Sequence, residues 1–192
     1  MLASASPRRR ALLAELGLDF ELRPTDLDES VQPGETAEAY VARLAESKAR
    51  AACRPGELVL GADTTVVLDG EILGKPSDVA DARQMLSMLA GRRHAVVSGV
   101  ALARERDGGI ECHSTVERSE VEIEMSPREI DWYARSGEGL DKAGAYAIQG
   151  LGSLFVTASC GSYSNIVGLP LAALRGLFRR LGEDLLERLP LD

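Results

Sequence analysis

Glu57-Leu58-Val59-Leu60-Gly61-Ala62-Asp63 decides the fold class of this chain. The run is too apolar for a surface loop and too short for a typical helix, so it predicts a buried strand that ends on an acid. Thr64 to Leu68 continue the strand, and Asp69-Gly70 is a hairpin turn signal. Working outward, helix and strand signals alternate. Ser6 is a good N-cap, Pro7 suits a first helical position, and the Leu12-Leu13 stripe stops at Gly17. Asp19 to Leu22 reads as a short strand and Thr25 to Glu35 as an acidic loop. Thr36 to Ala52 reads as a long helix with Ala37, Tyr40, Val41, Leu44, Ala45, Lys48 and Ala52 near one stripe. Helices are expected over 78–90, 127–136 and 169–181. Strands are expected over 94–105, 109–124 and 153–159, the first two joined around Asp107-Gly108-Gly109. The alternation predicts an α/β chain with a mixed sheet, in one domain over 1–192 without a linker or repeat.

The chain has 192 residues, 45% of them hydrophobic, enough for one substantial core. Its net charge of −8 argues against general binding to nucleic acid or to an anionic membrane. Cys53, Cys112 and Cys160 form no CxxC pair, and no signal peptide or long apolar run occurs, so the sequence reads as cytoplasmic. A P-loop, a dinucleotide-binding glycine fingerprint and zinc-site spacing are all missing. Cys160-Gly161-Ser162 lacks the partners of a cysteine protease, since both histidines precede it.

Ser4-Ala5-Ser6-Pro7-Arg8-Arg9-Arg10 places arginines at a helix start, where free N–H groups and the helix dipole favour an anion. Asp63, with Thr64 and Thr65 beside it, reads either as a Mg²⁺ ligand or water-activating base, or as a turn aspartate. Glu29 either completes a metal site or belongs to a solvated acidic loop. Lys48, Lys75 and Lys142, with Arg8 and Arg9, carry the charge needed to neutralise a triphosphate, and each taken singly also reads as an ordinary surface cation.

Five ordered motifs resemble the Maf-like nucleoside triphosphate pyrophosphatases. They are Leu2-Ala3-Ser4-Ala5-Ser6-Pro7-Arg8-Arg9, then Gly61-Ala62-Asp63-Thr64-Thr65-Val66-Val67, then Ile72-Leu73-Gly74-Lys75-Pro76. Asp141-Lys142-Ala143-Gly144-Ala145-Tyr146-Ala147-Ile148-Gln149-Gly150 and Gly161-Ser162-Tyr163-Ser164-Asn165-Ile166-Val167-Gly168-Leu169-Pro170-Leu171 complete the set. The resemblance implies an elongated α/β fold related to inosine triphosphatase, with two lobes around a central cleft. It further implies a cytoplasmic, often homodimeric enzyme that needs Mg²⁺ or Mn²⁺. The Ile148-Gln149-Gly150 form is similar to the dTTP/UTP pyrophosphatase subgroup rather than the 7-methyl-GTP one.

By the same resemblance, Asp63 matches the catalytic acid, and Arg8, Thr64 and Gln149 match positions tied to substrate specificity. Ser6, Arg9, Lys48, Lys75 and Lys142 match the polar and basic lining of the cleft, and Glu29 an acidic loop residue that helps hold metal. Modified pyrimidine triphosphates are alternative substrates. The family's link to septum formation keeps a nucleotide-binding regulator of cell division, with little hydrolysis, as the alternative function. Two departures stand out. The chain opens almost directly on the Ser6-Pro7-Arg8-Arg9 motif, which predicts a weakened first strand or a misplaced start. Gly139 replaces a frequent proline, which predicts a looser loop around Lys142.

Overall fold

Four helices begin where the sequence offers a side-chain oxygen to cap them. In the computed structural model, which describes residues 1–190, Ser6 caps α1 (Pro7–Glu15), Thr36 caps α2 (Ala37–Ala52) and Asp78 caps α3 (Val79–Leu89). Ser126 and Glu129 form a reciprocal capping box on α4 (Pro127–Ser136), and Gly137, at φ 76°, ends that helix. A short α5 (Tyr163–Val167), not foreseen in the sequence, precedes α6 (Leu171–Arg180). The last helix starts later than expected because Pro170 disfavours helical geometry at Leu169.

One five-stranded sheet runs β2-β1-β3-β4-β5, formed by β1 (Leu58–Leu68), β2 (Glu71–Leu73), β3 (Arg92–Arg106), β4 (Gly109–Ile123) and β5 (Val156–Cys160). Asp69 and Gly70, at φ 51° and 87°, turn β1 into β2 and pair Leu68 with Glu71. The β1–β2 and β4–β5 pairings are antiparallel. Isolated parallel bridges add to these: Leu2 meets both Leu22 and Leu60, and Ala90 meets Ile123. The weakened first strand and the strand expected over 19–22 are thus reduced to the single bridge positions Leu2 and Leu22. Even so, the Ala3 N–H reaches the Leu60 carbonyl at 2.8 Å and the Arg23 N–H reaches that of Leu2 at 3.0 Å.

The chain divides into two compact units. The first comprises Met1–Asp63, Ser98–Glu117 and the chain from Gly168 onward; the second comprises Thr64–Val97 and Arg118–Val167. In the second, α3 and α4 cover a core that includes Leu86, Leu89, Ile123, Tyr133 and Phe155.

In the first unit α2 lies directly on the strands. A Cβ on Gly61 would sit 2.2 Å from the Ala45 carbonyl oxygen, and one on Gly99 would sit 2.2 Å from that of Val41. Only glycine permits such an approach of helix backbone to strand backbone. Ala45 and Ala49 of the helix then pack on Ala101 and Ala103 of β3, all fully buried. The same buried stripe of α2 carries Lys48, itself only 7% exposed. Gly99→Ala is expected to cost about 2 kcal/mol by overpacking. It should lower the melting temperature by about 4–8 °C without changing the secondary structure seen by circular dichroism. An unchanged melting temperature would show that the contact is soft.

Candidate functional site

Asp63 closes the first unit's share of β1 and is 7% exposed. The Lys48 ammonium donates to its Oδ1 at 2.7 Å and pairs with Glu29 Oε1 at 2.6 Å. A buried cation requires such partners, because the loss of hydration would otherwise be uncompensated. Glu29 is supplied by the acidic loop, which α2 holds at several points. The Tyr40 hydroxyl donates to the Glu29 carbonyl at 3.0 Å, and Arg43 donates to the Ser30 carbonyl at 3.0 Å. Arg43 also grips Glu35 through two bonds and pulls its carboxyl down to about 2. Burial, followed by the Asp63 and Glu29 charges, pushes the Tyr40 phenol up to about 12. Glu29 is therefore held by helix contacts, although its side chain remains 46% exposed.

The structure gives Arg9 a particular position. Its Nε donates to the Gly168 carbonyl at 2.8 Å, while Nη1 donates to the Ala62 carbonyl at 2.9 Å and to Ser4 Oγ at 3.0 Å. Burial pulls its pKa below the usual arginine value, and the neighbouring Asp63 and Glu29 charges oppose that shift. Nη1 thus fixes the peptide immediately before Asp63, while Nε ties it to Gly168. Ser6 caps α1 on the Arg9 N–H, and Arg8 is half-buried on the first turn of that helix.

The second unit holds the remaining expected residues. Thr64 is half-buried, Lys75 and Gln149 are exposed, and Lys142 pairs with Asp141 at 2.6 Å. The Thr65 hydroxyl donates to the Leu73 carbonyl at 3.4 Å, so it supports the β1–β2 hairpin. Gly139 does not loosen its loop. A Cβ there would stand 1.9 Å from the Ala145 carbonyl oxygen, so the glycine is what lets the loop close. Gly144 and Ala145 both take left-handed backbone, at φ 70° and 61°, and the Gly144 N–H is held by the Gly74 carbonyl at 3.0 Å.

Sequence reasoning missed the residues that support this segment. The Glu138 carboxylate accepts the Tyr133 hydroxyl at 2.7 Å and the N–H groups of Leu151 and Gly152, each at 2.9 Å. Those bonds wind Gly150–Leu154 into a 3₁₀ turn and delay β5 to Val156, where a strand from 153 had been expected. Asn165 is fully buried and donates to the Val96 carbonyl at 3.1 Å and to Ser119 Oγ at 2.9 Å. Its motif is therefore a structural clamp. His94, 3% exposed, meets the Tyr146 hydroxyl at 2.6 Å through Nε2, with Nδ1 3.3 Å from the Arg92 carbonyl. A carbonyl only accepts, which places the proton on Nδ1 of a neutral ring. Among the described residues no group of three or more His, Cys, Asp or Glu is gathered for a metal, and no helix is long and apolar enough to cross a membrane.

The family model described as Maf-like protein matches residues 1–181. A dTTP/UTP pyrophosphatase of Anaeromyxobacter sp. (strain Fw109-5) is 54% identical over 96% of this chain and 90% of its own length. The Myxococcus xanthus protein of the same name is 51% identical, covering 95% and 92%. That of Yersinia pestis bv. Antiqua is 52% identical, covering 88% and 86%.

Lys48→Met strands the buried Asp63 carboxylate and is expected to destabilise the chain by about 3 kcal/mol. Adding Asp63→Asn should recover most of that loss in denaturant melts; additive losses would show that the pair is not coupled. His94 has its own pH signature. Burial lowers its pKa from 6.5, so the unfolded chain takes up the proton first as pH falls. Its contribution is complete above that value and is lost on the acid side. Melting temperatures should drop from pH 7.5 to 5.5, and His94→Asn should flatten that slope.

Proposed function

We propose that this chain, which belongs to the Maf-like family, is a dTTP/UTP pyrophosphatase. It hydrolyses the bond between the α- and β-phosphates to release a nucleoside monophosphate and pyrophosphate. The observation that carries the reading is the buried Asp63 carboxylate, held by Lys48 beside Glu29 and by Arg9 on the preceding peptide. It occurs in a chain more than half identical to relatives bearing that activity in their names.

In this reading residues 1–192 act as one catalytic domain. Asp63 takes a proton from the water that attacks the α-phosphorus, with its orientation fixed by Lys48 and by the anchored Ala62 carbonyl. Arg8, Arg9, Lys48, Lys75 and Lys142 supply positive charge toward the triphosphate, and Ser6 sets the helix start from which Arg8 extends. Thr64 and Gln149 select the base, since a side-chain amide can donate to and accept from a pyrimidine edge. Asp63 and Glu29 offer hard oxygen donors, and Mg²⁺ typically takes one or two such carboxylates with substrate phosphates. The pair therefore fits Mg²⁺ or Mn²⁺, which when bound would neutralise charge on the leaving pyrophosphate. A homodimer in the cytoplasm completes the proposal.

The decisive experiment is pyrophosphate release from canonical, modified and 7-methyl-GTP substrates, with Mg²⁺ or Mn²⁺ present. Activity should be strongest on dTTP and UTP. Asp63→Asn should cut turnover about 10²–10⁴-fold, with a cooperative melt and unchanged circular dichroism at the assay temperature. Activity confined to 7-methyl-GTP would overturn the base assignment. No release from any triphosphate would overturn the reaction itself.

A further inference from the structure

The geometry points to Glu138 as the positioning residue that sets base selectivity by fixing the backbone on which Gln149 stands. This rests on the reading that Gln149 contacts the base. Gln149 is exposed and has no 3₁₀-capping bond of its own, so its aim depends on the backbone on either side. On the C-terminal side, Glu138 Oε1 accepts the Leu151 N–H and Oε2 accepts the Gly152 N–H, each at 2.9 Å. On the N-terminal side, the Ala147 N–H donates to the Tyr133 hydroxyl at 3.2 Å, and that hydroxyl donates to Glu138 Oε2 at 2.7 Å. One carboxylate thus ends both anchors of the segment 147–152.

The intervening residue records how tight the arrangement is. Gly150 sits at φ 66°, and a Cβ there would lie 2.2 Å from Glu138 Oε1. Glycine at 150 is therefore demanded by the approach of the carboxylate as well as by the backbone angle. Burial would raise the Glu138 pKa, but the Tyr133 hydroxyl and the two N–H groups outweigh it and hold the carboxyl below its ordinary value. The anchor is consequently a charged acceptor at neutral pH, with stronger bonds than a neutral amide would form.

Glu138 holds Lys142 by a different atom. The Lys142 ammonium donates to the Glu138 backbone carbonyl and pairs with Asp141 at 2.6 Å. Glu138→Gln leaves that carbonyl in place while removing the charge that organises 147–152. Selectivity and phosphate contact are thereby separable in one substitution, which a general loss of structure would not achieve.

The test is steady-state hydrolysis of dTTP and dGTP by the wild-type chain, Glu138→Gln, Gln149→Ala and the double variant. Glu138→Gln is expected to raise KM for dTTP about tenfold and to lower the preference for dTTP over dGTP about as much. Its kcat should fall less than about threefold. In the double variant, selectivity should fall no further than in Gln149→Ala, because both changes remove the same function. Multiplying losses, or a Glu138→Gln enzyme with wild-type KM and preference, would overturn the proposal. If Glu138→Gln shows no cooperative melt, Tyr133→Phe carries the test. It removes one anchor and should raise KM about threefold; no rise would again count against Glu138. Gln149→Ala with unchanged preference would overturn the base-contact reading and this inference together. A selective loss in Gln149→Ala without one in Glu138→Gln would sink this inference alone.

Discussion

The backbone contact between α2 and the strands beneath it is the constraint on which the first unit depends. Gly61 and Gly99 remove the two side chains that would hold the helix away. Once the helix is down, Lys48 reaches Asp63 at 2.7 Å, and Tyr40 and Arg43 reach the acidic loop. A helix resting on side chains several ångströms higher would leave Asp63 buried without its cation. That state is costly enough to expel the charge or unfold the strand end. The small residues along α2, Ala45 and Ala49, are thus part of the electrostatics of the site as well as of its packing.

The second unit solves a related problem with hydrogen bonds instead of close packing. Its motif segment from Asp141 to Gly150 has little regular structure, yet its backbone polar groups find fixed partners. Gly74 holds Gly144, Tyr133 holds Ala147, and Glu138 holds Leu151 and Gly152. Ala145 in the left-handed region adds strain of the order of 1 kcal/mol or more, which such a network can sustain. Irregular backbone made rigid in this way can present side chains as reproducibly as a helix does.

Local signals were legible in the sequence wherever one residue carries its own physical reason. The caps at Ser6, Thr36, Asp78 and Ser126, the Asp69-Gly70 turn and the buried run into Asp63 depend only on near neighbours. Lys48 was visible as a cation on an apolar stripe, although its bridging of Glu29 and Asp63 was not, since those residues lie far apart in sequence. Glu138 and Ser119 gave no signal. Each looks like an ordinary surface polar residue, and its importance comes from unsatisfied backbone groups that only the fold brings to it. The Gly139 reading failed for the same reason, because the Ala145 carbonyl that requires the glycine is invisible in a sequence. The motif containing Asn165 gave no hint of its part in the fold, where its buried amide satisfies the Val96 carbonyl and Ser119.

The balance of charge around Asp63 follows from the same geometry. The whole chain carries −8, yet Arg8, Arg9, Lys48, Glu29 and Asp63, drawn from four segments, together carry one net positive charge. Arg9 and Lys48 are both buried, each with oxygen partners already in place, so neither must be dehydrated again when a polyanion arrives. Pre-placed cations of this kind stabilise developing negative charge without reorganisation, which is where electrostatic catalysis gains most. The net charge of −8 acts in the opposite sense toward long polyanions, whose binding rewards an extended basic surface. In the proposed reading, these buried cations suit a small, highly charged ligand such as a nucleoside triphosphate.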